Sequence, residues 1–419
     1  MSVRRSVLAN GVRVVTERVE DLRSATIGFW YEVGSRDEKP EEQGICHFIE
    51  HMMFKGTPRR SARQIAEQID AVGGQLNAFT TKEHTCYYAR VLDVHVPRAV
   101  ELLADMLLNS SMDPADVEKE KSVVLEEIRL YEDTPDELVH ELAAEAALGR
   151  HPAARSVLGT EESVRSFTSR RLKEFVRQHY TGGRLVVAAA GRVDHDALVA
   201  QVSEHFAGLA PDPARRRPHP ARSEFRWLVR SKETEQVHLC VSTPGLAAGD
   251  PDRWAMLCLD SILGGGVSSR LFQKLREERG WVYATYSYHT ALWDAGFFAV
   301  YAGTASERAA SVLELVQEEL IETARAGVVP EELSRAKEHL KGSLMLGLES
   351  TSQRMSRLAR GELTGEGHLS PDEVLARIDG VGEEDVRRLA ERLFDPDRFA
   401  YAAVGPVSWE TQRRVADAG

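Results

Sequence analysis

Apolar positions along the first half of the chain recur now at the two-residue period of strands, now at the three- to four-residue period of helices. Ser6 to Val19 reads as a hairpin turning at Asn10-Gly11, with Val12, Val14 and Val15 in its second strand. Ala25 to Val33 is apolar enough for a central strand, and the polar loop Gly34 to Gln43 leads out of it. In the next helix Ile45, Phe48, Ile49, Met52 and Phe54 surround a polar stripe of His47, Glu50 and His51. Ser61 and Gln64 form a capping-box pattern ahead of Ile65, Ile69 and Val72, and Gly73 supplies a stop. Gly74 to Val91 reads as two strands and Pro97 to Leu108 as a helix. Asp113-Pro114 caps a further helix that reaches Tyr131. Helices from Asp136 to Gly149 and from Ser169 to His179 precede a strand from Arg184 to Ala190.

The stretch Gly208 to Ala221 is rich in Pro and Arg and has no periodicity, so residues 212–223 read as a linker between domains at 1–211 and 224–419. Beyond it the order of elements recurs. Arg184 to Gly191 resembles Arg398 to Gly405, an offset of 214 residues that also superposes Val164 on Ile378, Leu172 on Val386 and Tyr180 on Phe394. A constant offset over this span predicts an α+β fold of two homologous domains, each a mainly antiparallel sheet with helices packed against it.

A length of 419 residues suits two domains of this kind, and 42% hydrophobic with 28% charged residues is the composition of a soluble globular protein. The net charge of -12 argues against nucleic acid as the main partner and would suit basic peptides in an enclosed acidic site. Cys46, Cys86, Cys240 and Cys258 form no Cys-x-x-Cys pair and read as thiols of a reducing compartment. No apolar run is long enough for a signal peptide or a membrane helix, so a cytoplasmic protein without a membrane partner is expected.

The polar stripe carries the chemistry. On a helix His47 and His51 stand one turn apart on one face, the spacing that two ligands of one metal ion need. Glu50 shares that face and could take a proton from a bound water. A third protein ligand is required, and the acidic helix after Asp113 is its candidate source. Glu120 and Glu127, seven residues apart, lie within about 20° of each other around such a helix, whereas Glu118 falls on the opposite side. Either Glu120 or Glu127 is therefore the ligand and the other a supporting carboxylate; Glu118 and Glu126 read as solvated charges. The copy of the metal helix near Leu257 to Ser261 contains no His, so only the first half can hold this metal. Ser269 to Gly280, taken alone, reads as a basic surface helix with i, i+4 ion pairs running into a strand.

Four motifs in order, His47-x-x-Glu50-His51, Gly73-Gly74-x-x-Asn77-Ala78-x-Thr80, Glu118-x-Glu120-Lys121-x-Val123-Val124-x-x-Glu127 and Leu275-Arg276-Glu277-x-x-Gly280-x-x-Tyr283, resemble the pitrilysin/insulinase family of zinc peptidases. The resemblance is to the two-domain branch of that family, which includes the β subunit of the mitochondrial processing peptidase and its bacterial relatives. The resemblance implies the duplicated LuxS/metallohydrolase-like fold and one zinc per chain, bound by His47, His51 and Glu127. Glu50 is implied to be the base, and Glu120 to be the supporting carboxylate. It further implies that the strand at Asn77 and Ala78 pairs with an extended peptide substrate, and that Arg276 and Tyr283 contact substrate beside the scissile bond, Tyr283 donating to the oxyanion. Relatives close two such halves around the substrate, so a homodimeric endopeptidase acting on short or unfolded peptides is expected. The alternatives are the catalytic subunit of an unlike pair and a structural subunit of the respiratory complex III core type. The intact metal set speaks against the second.

Overall fold

The computed structural model describes residues 3–211 and 227–407, so the segment read as a linker, 212–223, lies outside the described residues. They form two compact units, one of residues 3–129, 156–211 and 346–368, the other of residues 130–155, 227–345 and 369–407. The first is built on β1 (Val3–Val7), β2 (Arg13–Arg18), β3 (Ser24–Tyr31), β4 (Gln75–Thr80), β5 (Thr85–Leu92) and β6 (Leu185–Gly191). Their order is β1-β2-β6-β3-β5-β4, antiparallel except between β2 and β6. The second is built on β7 (Trp227–Arg230), β8 (Val237–Pro244), β9 (Val282–Ala291), β10 (Gly296–Thr304) and β11 (Ala400–Val404). Here the order is β7-β11-β8-β10-β9, and only β7 and β11 run parallel. Taken from β2 onward the two orders are identical, which makes each unit a copy of one α+β architecture.

Helices α1 (Ile45–Met53), α2 (Ala62–Asp70), α3 (Val96–Asn109) and α4 (Pro114–Glu132) contribute to one continuous core with the first sheet. Every residue of β6 is buried, as expected of a strand covered on both faces. The second cover comes from far along the chain: Met355, Leu358 and Ala359 of the helix Thr351–Thr364 pack on Val15, Trp30, Val186 and Ala188. The reciprocal arrangement holds in the other unit, where Val139, Leu142 and Ala143 of α5 (Pro135–Leu148) pack on Cys240, Tyr301, Ala402 and Val404. Each repeat thus gives one helix to the sheet of the other.

Polar groups fix the register of the helix Thr351–Thr364 on its sheet. Arg354 donates to Glu17 over 2.6 Å in a buried ion pair, Thr26 and Thr351 share a 2.8 Å hydroxyl bond, and Trp30 Nε1 donates to Met355 Sδ at 3.1 Å. At the helix end Glu362 accepts from Arg5 at 2.7 Å and bonds His368 at 2.8 Å. Burial alone would raise the Glu362 carboxyl, but the bonds from His368 and Arg5 outweigh it and bring it from 4.5 down to about 2. Because the folded-state value is the lower one, the stabilisation is complete above the ordinary 4.5 and is lost as the pH falls toward 2. Denaturant unfolding across that range should show the wild type losing stability faster than Glu362→Gln; parallel curves would remove the assigned role.

Candidate metal centre

Gly44 starts α1 with a left-handed φ of 85°, and a Cβ there would lie 2.4 Å from the Leu158 carbonyl oxygen, so only glycine fits. The buried Glu38 carboxylate then accepts the Gly44 and Cys46 N–H groups at 2.8 and 2.9 Å, satisfying the first turn of the helix. Seven of the nine residues of α1 are buried, and its apolar face locks the helix into the core. His47, Glu50 and His51 are left on the remaining stripe, toward α4. There Asp113 caps the helix through the Ala115 N–H at 2.8 Å. Glu118 and Glu126 are solvent-facing and pair with Lys121 and Arg129, as expected of solvated charges.

Glu127 Oε2 lies 3.6 Å from His47 Nε2 and 3.7 Å from His51 Nε2. These separations are too long for hydrogen bonds, yet near the roughly 3.4 Å edge of a tetrahedron whose centre sits about 2.0–2.1 Å from each donor. Among the described residues this is the one group of three His, Cys, Asp or Glu side chains that could hold a metal ion. Two imidazoles and a carboxylate suit zinc and leave a fourth position for water or substrate.

The electrostatics set the groups of this cluster apart. Burial, helped by neighbouring His51, lowers His47 to about 4, which keeps its ring neutral and its lone pair free. Burial also opposes charge on His51, but the 2.8 Å bond to Glu120 and the fields of Glu127 and Glu50 prevail and raise it. Glu120 is buried too, and its bonds to His51 and Lys55 outweigh that burial and hold its carboxyl below the usual range. Glu50 is shifted the other way. Burial raises its carboxyl against a 2.5 Å hydrogen bond from the Thr80 hydroxyl, making it a stronger base than a surface glutamate.

Thr80 ends β4, the edge strand that carries Asn77 and Ala78 and is paired on one side only, by β5. Beside it is a pocket of about 540 Å³ lined by Phe54, Ile65, Ile69, Leu76, Asn77 and Tyr88. Arg276 and Tyr283 come together in the other unit. The chain from Phe272 to Glu277 does not form the ordinary helix expected of it. It winds wider, with the Glu278 N–H reaching the Gln273 carbonyl at 2.9 Å, five residues back. Its cations are held by tertiary partners rather than by i, i+4 neighbours: Arg270 pairs with Glu332 and Glu319, and Lys274 with Glu319. Arg276 lies over the rings of Phe272 and Tyr283 at 5.0 and 5.5 Å, and Tyr283 itself is 74% exposed at the start of edge strand β9.

Residues 13–161 match the model of the insulinase family, peptidase family M16, and residues 166–340 match that of the M16 inactive domain. A Streptomyces coelicolor protein described as an uncharacterized zinc protease is 44% identical over 100% of this chain and 92% of its own length. The uncharacterized zinc protease YmxG of Bacillus subtilis is 43% identical over 96% of this chain and 98% of its own. The chain belongs to peptidase family M16. Its fold is that of a Pseudomonas fluorescens M16 inactive-domain crystal structure, with a TM-score of 0.91 at 22% identity over 97% of this chain and 99% of that one. A Helicobacter pylori protease superposes with a TM-score of 0.89, also at 22% identity and over 97% and 99% of the two chains.

The M16 peptidase model spans the whole His47–Glu127 group, and the inactive-domain model spans the helix Arg253–Gly264, which has no His. Three residues at the site escape motif spacing: Glu38, which anchors α1, Thr80 on Glu50, and Lys55 on Glu120. Thr80 stands inside the Gly73–Thr80 motif and Lys55 one turn beyond His51, but only the fold assigns their partners. If Glu127 supplies the third donor, Glu127→Gln should weaken zinc binding well beyond the roughly 10- to 100-fold typical of a supporting residue such as Glu120. Competition with a chelator would measure both, and a larger loss for Glu120→Gln would mean that the carboxylates exchange roles.

Proposed function

We propose that this M16 protein is a zinc metalloendopeptidase that cleaves short or unfolded peptides. The observation that carries the reading is the convergence of His47, His51 and Glu127, whose Oε2 stands 3.6 and 3.7 Å from the two Nε2 atoms, with Glu50 on the same helix as the two imidazoles. In this reading those three atoms hold one zinc per chain and Glu120 orients His51. Zinc held there supplies Lewis acidity, acidifying a water and polarising a carbonyl. Glu50, raised by burial and aimed by Thr80, takes the proton of the attacking water and passes it to the leaving amine. The open edge of β4 receives an extended substrate strand through main-chain bonds at Asn77 and Ala78, and the adjoining pocket takes a substrate side chain.

Arg276 and Tyr283 complete the proposal. Tyr283 is exposed and its phenol can donate to a developing oxyanion, while Arg276 is held over its ring. We assign these two to the substrate bound at the metal of a second copy, so the working form is a homodimer. One chain carries both sets of residues, which favours two like copies over an unlike pair. Among the described residues no helix is long and apolar enough to cross a membrane.

Glu50→Gln should retain zinc and lose about 10²- to 10⁴-fold in hydrolysis of an unstructured peptide library read by mass spectrometry. Chelation of the wild type should abolish cleavage, and zinc should restore it. Near-normal turnover by the variant would end the role given to Glu50. The native mass of the active species should be twice the 46.6 kDa of one chain; an active monomer would remove the second copy from the mechanism.

A further inference from the structure

We propose that Lys55 is a positioning residue for the metal site: through Glu120 it holds His51 with Nδ1–H turned to protein and Nε2 turned to the ion. This rests on the zinc reading above and adds a residue that neither the metal motif nor the acidic helix contains. After Met53 the chain makes one more tight turn, the Phe54 N–H bonding the His51 carbonyl at 3.1 Å and the Lys55 N–H that of Met52 at 3.2 Å. Lys55 therefore stands one turn past His51 on the same face. Its Nζ lies 2.5 Å from Glu120 Oε2, while the other oxygen of that carboxylate, Oε1, is 2.8 Å from His51 Nδ1.

The carboxylate is buried, with 4% of its side chain exposed, so each oxygen needs a donor of its own. A neutral imidazole has one N–H. When Glu120 accepts it from Nδ1, the lone pair is left on Nε2, the atom that faces Glu127. Lysine supplies the second donor and the compensating charge. Without it the carboxylate keeps one partner and loses what holds it in the imidazole plane. Among the described residues the other histidine has no such relay, since none of them bonds the buried His47 Nδ1. Control of ring orientation is thereby concentrated on His51, and Lys55 is its outermost part.

The test uses the full-length chain. Zinc affinity by chelator competition, and the His51 tautomer by 15N NMR of the metal-free protein at a pH high enough to keep that ring neutral, are measured for wild type, Lys55→Met, Lys55→Arg, Glu120→Gln and the double variant Lys55→Met/Glu120→Gln. Lys55→Met should weaken zinc binding about tenfold or more and bring up the Nε2–H tautomer, with Lys55→Arg recovering most of the loss. In the Glu120→Gln background Lys55→Met should add little. Wild-type affinity and tautomer in Lys55→Met, or fully additive losses in the double variant, would overturn the proposal. Should Lys55→Met not fold, Lys55→Gln is judged by the same criteria. A wild type that binds no zinc would sink the peptidase reading and this one with it, whereas tight wild-type binding left unchanged by the substitution sinks this one alone.

Discussion

The meeting of α1 and α4 side chains, His47 and His51 from one and Glu120 and Glu127 from the other, is the contact on which the candidate site depends. It sets two imidazoles from one buried helix opposite two carboxylates from another, and polar groups brought together out of water must be satisfied by one another or by an ion. The arrangement separates the two acids by distance. Glu120 comes within hydrogen-bond reach of His51, while Glu127 stops short of both rings, at the separation that shared ligands keep. The same burial that makes His47 a neutral donor raises Glu50 toward base strength, so one environment serves both purposes.

That environment is supplied by a duplicated scaffold in which the copies have diverged. The strand orders of the two sheets agree, yet the second unit has the helix Arg253–Gly264 where the first has α1, and no His on it. The second unit carries instead a wide helical turn, and Arg276 on it lies over Tyr283 at a sheet edge. The exchange of cover helices binds the two histories together. Neither sheet is closed on both faces by its own repeat, so the buried Glu17–Arg354 pair and the α5 contacts make each unit depend on chain from the other half. A buried ion pair of this kind adds little net stability, because desolvation offsets its attraction, but it penalises every misaligned seating of the helix.

The sequence by itself determined the element types, the α+β repeat and the composition of the polar stripe. Hairpin turn, capping box, proline-opened helices and the 214-residue offset are local or periodic signals, and His47, Glu50 and His51 share a face because of helical geometry alone. Angular spacing also separated Glu118 from the site. What angular spacing left open was the choice between Glu120 and Glu127, which stand on the same side of α4, and there the family resemblance implied Glu127. Only the tertiary structure supplied the distances that set the two apart, Glu120 bonded to His51 and Glu127 3.6 to 3.7 Å from both rings, along with the Thr80–Glu50 and Lys55–Glu120 contacts, the wide turn at Phe272–Glu277 and the exchange of α5 for the helix Thr351–Thr364. Each of these is a relation between segments distant in the chain, or a local geometry imposed by such relations, and helical or strand periodicity carries no information about which distant face a side chain will meet.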